Sequence, residues 1–233
     1  MQIIRGHGMP GRRAQLAAAP TVPAPLGVPL WVWGLGGAAL LFLGGKAMAA
    51  IKDPIDFVKR IWAATEGLGL VARARLIIIA HGAYETGWGR LGTAVQGYNY
   101  WNLSAGTVGA PSKDWTGPVI LGADKEYTKE GKVVNITQRW RAFASPREAV
   151  LHYLSPQWIN PTNGWNAGYR TAGTALRAGD AVGFVQGLRA GGYFTLPLEP
   201  FVDAAGKQQP GYQAQFLATL ATAEKFAKQA GVV

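Results

Sequence analysis

No cysteine occurs in the 233 residues, which excludes disulfides and thiolate metal sites. An oxidising compartment stays open all the same, because a domain of this size can stand on its core alone. Histidine is nearly as scarce. His7, His81 and His152 are too scattered to form a ligand cluster, so neither a metal nor a cofactor is expected. Acid is thin as well, with 13 carboxylates against 23 basic side chains and a formal net charge of +10. Residues 1–52 carry Arg5, Arg12, Arg13, Lys46 and Lys52 and no acid at all. Such a balance suits an anionic partner without choosing among nucleic acid, lipid headgroups and wall polymer. No basic run at helical spacing is interleaved with aromatics, so nucleic acid is not an expected partner.

Residues 14–45 lack charge altogether, and the apolar run W-V-W-G-L-G-G-A-A-L-L-F-L lies within them. A spanning helix wants about 20 apolar residues, and if Lys46 snorkels, residues 28–51 suffice. Trp31 and Trp33 stand at one end, where indole rings favour the headgroup region. The competing reading is a signal peptide cut after the A-x-A site at Ala47, Met48 and Ala49, but the prolines before the apolar core favour an anchor. Basic residues flank both sides and leave the orientation open. The chain therefore divides into a basic, Pro/Ala-rich segment (1–27), a transmembrane helix (28–51) and one domain (53–233).

Asp53 followed by Pro54 reads as a helix start, with Ile55, Val58, Ile61 and Trp62 facing a core. A second helix is predicted over residues 70–86, with Ala72, Leu76, Ile77, Ala80 and Tyr84 at helical spacing and Gly87 as its stop. Residues 91–118, rich in Gly, Ser, Asn and Pro, read as loops. Strand-like runs follow around Val119 and over 132–140, with the hairpin turn K-E-G-K at 129–132. Ser145, Pro146 and Glu148 form a capping-box pattern, and further helices are predicted over 168–176, 180–190 and 212–229. The fold class is α+β, mainly α, with the hairpin as a small lobe.

The chemistry centres on E-T-G-W-G at residues 85–89, which places one carboxylate where a helix stops. The negative end of the helix dipole disfavours a second negative charge there, and apolar neighbours such as Tyr84 and Trp88 disfavour it further. A glutamate kept protonated near neutral pH is what general-acid cleavage of a glycosidic bond requires. A solvated glutamate beside a glycine stop would look the same in these five residues alone. His81, four residues earlier, shares a helix face with Glu85. Y-N-Y-W-N at 98–102 places three rings and two amides in a predicted loop, and G-G-Y-F at 191–194 adds two rings after a glycine pair. Among later acids Glu126 enters the hairpin, where Asp124, Glu126 and Glu130 also suit a solvated strand edge.

Taken in order, E-T-G-W-G, Y-N-Y-W-N-L-S, K-E-Y, W-R-A-F-A-S-P-R-E and A-G-G-Y-F-T-L-P resemble the glucosaminidase family of peptidoglycan hydrolases, glycoside hydrolase family 73. The resemblance runs over about residues 53–230 and implies a lysozyme-like fold with a β-lobe facing a helical lobe across a cleft. It implies that Glu85 is the catalytic acid and Glu126 the second, β-lobe carboxylate. Tyr193 matches a tyrosine facing the cleft, and Tyr98, Asn99 and Trp101 match a loop along the sugar groove. The departures are Trp101-Asn102-Leu103-Ser104 in place of F-G-I-K, Asp124 where a threonine is common, and Leu196 in place of an aspartate.

The resulting expectation is a membrane-anchored endo-β-N-acetylglucosaminidase acting on peptidoglycan strands, without cofactor. A phage enzyme, in the virion or at the host inner membrane and facing the periplasm, fits the anchor. Virion or envelope-complex proteins are then its partners. The alternatives are a lytic transglycosylase or muramidase of the same fold, and a non-catalytic protein that tethers a membrane to the wall.

Overall fold

The computed structural model describes residues 51–127, 133–202 and 206–233. The expected membrane segment lies outside them except for Ile51, and so does the expected turn at 129–132. Among the described residues no helix is long and apolar enough to cross a membrane.

Helix α1, Pro54–Ala64, starts where the sequence predicts, with Asp53 Oδ1 accepting from the Asp56 N–H at 2.8 Å. Phe57, Val58, Ile61 and Trp62 are buried on it, while Ile55 stays half-buried. Helix α2, Ala72–Thr86, departs from the amphipathic pattern. Every residue from Leu76 to Thr86 is buried, whereas Ala72, expected on the core face, is exposed. A helix apolar on all sides has to lie inside the domain, and Ile77, Ile78 and Ile79 each contribute about 1.5–3 kcal/mol by leaving water. Helix α7, Tyr212–Ala230, packs along α2, and α1 lies against both α7 and α4, Pro146–Tyr153.

The stretch read as loops holds two short elements. Helix α3, Gly92–Gly97, has no side-chain cap and stands by packing. A Cβ on Gly97 would meet Ile120 at 2.5 Å and Ala142 at 2.9 Å, so the helix end lies directly on the sheet. Strand β1, Ser104–Thr107, pairs with β3, Val133–Arg141, which also pairs with β2, Val119–Tyr127. The antiparallel order is β1-β3-β2, with Val119 opposite Arg141 and Tyr127 opposite Val133. The register shifts between Ser104 and Thr107, where Gly106 has φ 81° and makes a bulge.

Ser145 caps α4 by accepting from the Glu148 N–H at 3.1 Å. Glu148 reaches back to the Ala144 N–H, one residue earlier than a capping box requires. Helices α5, Ala167–Ala178, and α6, Ala181–Ala190, pack on each other through glycine. A Cβ on Gly187 would stand 2.4 Å from the Ala172 nitrogen, so the two backbones touch. A two-residue pair, β4 (Phe201–Val202) with β5 (Gln208–Gln209), precedes α7 and has no counterpart among the expected elements. The fold is mainly helical α+β, with one small three-stranded sheet inserted between α3 and α4.

Candidate active site

The E-T-G-W-G segment builds the end of α2 residue by residue. Gly87 takes the left-handed conformation at φ 57°, and the N–H of Trp88 returns to the Ala83 carbonyl at 3.1 Å, closing a Schellman turn. Thr86 ties the turn together. Its hydroxyl donates to the Gly82 carbonyl at 2.6 Å and accepts from the Gly89 N–H at 3.0 Å, and its own carbonyl accepts from Arg90 and Leu91. Trp88 is itself left-handed at φ 64°, and its ring is buried edge-on against Phe57 and Phe226. Gly89 passes so close to Phe57 and Ile51 that a Cβ would stand 2.2 Å from the Ile51 side chain. Four of the five residues thus fix where the fifth, Glu85, points.

Glu85 is only 2 % exposed. Its described partners come from three directions. The Tyr212 hydroxyl at the start of α7 donates to Oε1 at 3.2 Å. Burial, and next the Glu85 carboxylate beside it, hold that hydroxyl well above its usual pKa, so it remains a donor. The Asn102 amide donates to the Glu85 backbone carbonyl at 2.8 Å and reaches Oε2 at 3.4 Å. One amide therefore caps a carbonyl at the end of the helix and steadies the carboxyl group. Thr93 donates to Asn102 Oδ1 at 2.8 Å, which turns the amide nitrogen toward Glu85. From α2 itself, His81 Nε2 stands 3.8 Å from Oε1. Burial pushes the imidazole pKa down to about 3, so this contact is not an ion pair near neutral pH.

Asn102 and Tyr212 are the positioning groups that the sequence reading missed. Asn102 stands where the resembled pattern has glycine, and its φ of 47° is a left-handed value that asparagine tolerates. Trp88, Tyr98 and Asn102 are the non-glycine residues with positive φ among those described, and all three belong to the two motifs around Glu85. Tyr212 gave no signal beyond its place at the start of a helix.

Two residues expected along a sugar groove are not on a surface. Asn99 is fully buried; its amide nitrogen donates to the carbonyls of Leu103 and Arg141, each at 2.9 Å, and its oxygen accepts from the Leu103 N–H at 2.7 Å. Trp101 is also fully buried, stacked on Tyr153 at 4.3 Å with its N–H toward the Ile78 carbonyl. With their side-chain polar groups met inside the domain, both shape the loop from within. Room for the Trp101 ring comes from Gly82 on α2, where a Cβ would stand 3.3 Å from the ring nitrogen. Tyr98 is half-buried and keeps an exposed part. Tyr193 is 6 % exposed, lies 4.8 Å ring to ring from His81, and donates to the Trp101 carbonyl at 2.6 Å. Glu126 sits on β2 opposite Val134; its side chain lies outside the described residues. Among the described residues no three His, Asp or Glu side chains gather as a metal ion would need.

A buried carboxyl at a helix end, with a phenol, an amide and an imidazole among its described partners, is placed where a group that exchanges a proton is expected. Residues 64–229 match the model of the glucosaminidase family, described as mannosyl-glycoprotein endo-beta-N-acetylglucosaminidase. The chain belongs to the glucosaminidase family. It is a glycoside hydrolase. Among solved structures it is similar to a peptidoglycan hydrolase from Sphingomonas sp. A1, at 22 % identity over 76 % of this chain and 94 % of that one, with a TM-score of 0.44. A peptidoglycan hydrolase mutant from the same organism gives 23 % identity over 75 % and 99 %, with a TM-score of 0.45. The catalytic domain of the autolysin Auto from Listeria monocytogenes gives 15 % identity over 77 % and 91 %, with a TM-score of 0.49. No curated protein matches the chain. Within this glucosaminidase domain, the family match takes in the described partners of Glu85: Tyr212, Asn102 and His81.

Proposed function

We propose that the protein is a peptidoglycan hydrolase of the endo-β-N-acetylglucosaminidase type, with Glu85 as its general acid. The observation that carries this reading is the Glu85 carboxyl, 2 % exposed at a helix C-terminus and held by Tyr212 and Asn102, in a chain of the glucosaminidase family. Glu85 protonates the glycosidic oxygen as the bond breaks. Glu126, in a β-lobe across a lysozyme-like cleft, activates water or stabilises the positive charge growing at the anomeric carbon. Tyr98 and Tyr193 are the ring surfaces for the sugar. The carboxyl is nearly closed off in this structure, so glycan entry requires the side chains around it to move.

The basic balance of the chain suits an anionic wall polymer. Residues 28–51 anchor the domain to a membrane, and a phage enzyme that opens the wall locally, carried in the virion or placed at the host inner membrane, is the setting this arrangement fits. Glu85→Gln tests the chemistry: clearing of purified cell walls should fall about 10²–10⁴-fold. Wild-type clearing by that variant would sink the assignment. Mass spectrometry of reduced digestion products tests the linkage. Reduced N-acetylglucosamine ends support the glucosaminidase reading, and anhydro-muramic ends would replace it with a lytic transglycosylase.

A further inference from the structure

We propose that His81 is a positioning residue whose Nε2–H is held in reserve for the ionised carboxylate of Glu85. The proposal rests on the reading of Glu85 as the general acid. His81 is fully buried, and the elements around it offer a small set of groups: Glu85 from α2, Tyr153 from α4, Tyr193 from the segment after α6, and the rings of Phe184 on α6 and Phe216 on α7. Of these, Glu85, Tyr153 and Tyr193 titrate. Tyr212 from α7 faces Glu85 from the other side.

Hydrogen-bond accounting decides where the imidazole proton sits. Nδ1 is 2.6 Å from the Tyr153 hydroxyl, and that hydroxyl has no other acceptor among the described residues. Tyr153 is fully buried and, because burial and then the Glu85 charge raise its pKa, it stays protonated. Its hydrogen therefore goes to Nδ1, since the reverse arrangement strands both a buried hydroxyl hydrogen and the Nε2 lone pair. A neutral ring that accepts at Nδ1 carries its hydrogen on Nε2. Nε2 makes no hydrogen bond among the described residues, and the acceptor it faces is Glu85 Oε1 at 3.8 Å.

An orphaned buried donor is costly, yet this one points at the group that becomes an anion when the acid gives up its proton. A shift of about 1 Å brings the pair to hydrogen-bond distance. The interaction is then stronger in the transition state than in the resting enzyme, which is the condition for raising rate rather than binding. His152 provides an internal contrast. Its Nε2 faces Arg141 Nη1 at 2.7 Å and the Trp158 indole N–H at 3.0 Å, both able only to donate, so its hydrogen is on Nδ1. Buried His81 and half-buried His152 hold opposite tautomers.

Nitrogen-15 spectra of the imidazoles in the full chain, which has three histidines, read this directly. The expected result is a protonated Nε2 on His81 and a protonated Nδ1 on His152; a protonated Nδ1 on His81 overturns the proposal. Kinetics give the second reading. A general acid works only while protonated, so activity falls above its pKa, and a donor to the carboxylate keeps that pKa down. His81→Leu should lower kcat roughly 10-fold, leave KM within about 2-fold, and move the alkaline limb upward by about one pH unit. His81→Gln, which keeps an N–H at a similar reach, should restore both. A folded Leu variant with an unmoved limb overturns the proposal. If that variant does not fold, Tyr153→Phe replaces it: with no hydroxyl to fill Nδ1, the tautomers should mix and the limb should move the same way by less, and an unchanged spectrum and limb overturn the proposal. An active Glu85→Gln would instead remove the reading of Glu85 on which all this stands.

Discussion

Two buried polar clusters flank the Y-N-Y-W-N segment, and they are built on opposite plans. Around Arg141 the charge is met by charge. The guanidinium is 1 % exposed and donates to the Ser104 carbonyl at 2.8 Å, to Gln157 at 3.2 Å and to Asp114 at 2.7 Å, while lying over the Trp115 and Trp158 rings. Burial alone would push the Asp114 pKa up, but Ser112 and Arg141 outweigh it and hold the carboxyl below its usual value. Around Glu85 the described donors are a phenol, an amide and an imidazole kept neutral by burial. A cation beside Glu85 would fix it as a carboxylate and take away its proton. The first cluster meets a charge with a charge; the described donors of the second are neutral.

The comparison breaks most visibly at Arg141. Arg141→Leu leaves Asp114 without its counter-charge and strands acceptors on Ser104, Gln157 and His152. Loss of one partner of a buried pair costs about 3–5 kcal/mol, and the lower end applies because Asp114 is about a quarter exposed. Urea unfolding should show that loss. Arg141→Lys should recover less than half of it, because one ammonium cannot span four acceptors held by a planar fork. Near-complete recovery with lysine would mean that charge alone, not the fork, holds the loop at 112–118 to the sheet.

Acid should act on the two clusters through their histidines. Burial, and next the Arg141 charge, push the His152 pKa down to about 4, and burial pushes that of His81 to about 3. Both folded values lie below the unfolded value near 6.5. The unfolded chain therefore binds the protons first as pH falls, and stability declines from about pH 6.5 downward. The His152 contribution is spent near pH 4 and that of His81 near pH 3. A tenfold change in proton affinity is worth about 1.4 kcal/mol, so the loss is at most about 3 kcal/mol through His152 and about 5 kcal/mol through His81. Urea midpoints between pH 7 and pH 4 should fall in the wild type and fall less in His152→Gln. An identical slope in the variant would show that His152 does not carry its share.

Much of this plan is legible in the chain itself, and the pattern of success is physical. Asp53, Ser145 and Gly87 stand at the helix ends that they announce, because a cap is a local bond between neighbours in sequence. Strands β2 and β3 show in their β-branched runs. Strand β1, S-A-G-T, and helix α3, G-T-A-V-Q-G, carry almost no local preference; they exist because the sheet edge and Ala142 offer them partners. The site divides the same way. Glu85 is visible because a motif surrounds it. Tyr212, 127 residues away in the chain, is not, since only the packing of α7 on α2 brings it to the carboxyl. Asn99 and Trp101 invite a place on a groove because rings and amides in a loop look like ligand surface. A loop turned inward against Gly82 uses the same residues as core.

The finest test of the contrast is at Asn102, where backbone and side chain make separate demands. At φ 47° a residue with a Cβ is strained, asparagine less than most, and glycine not at all. Asn102→Ala should therefore lose about 1–2 kcal/mol, from strain and from the uncapped Glu85 carbonyl together. Asn102→Gly keeps the backbone and loses only the amide, so its stability should stay within about 1 kcal/mol of the wild type. Activity separates the two demands. If the amide steadies the Glu85 carboxyl through the 3.4 Å contact, both variants should clear cell walls roughly 3- to 10-fold more slowly despite their different stabilities. If glycine retains full activity, the described donors that matter at Glu85 reduce to Tyr212 and His81. Asn102 would then belong with Asn99 and Arg141, among the residues that hold the loop rather than the proton.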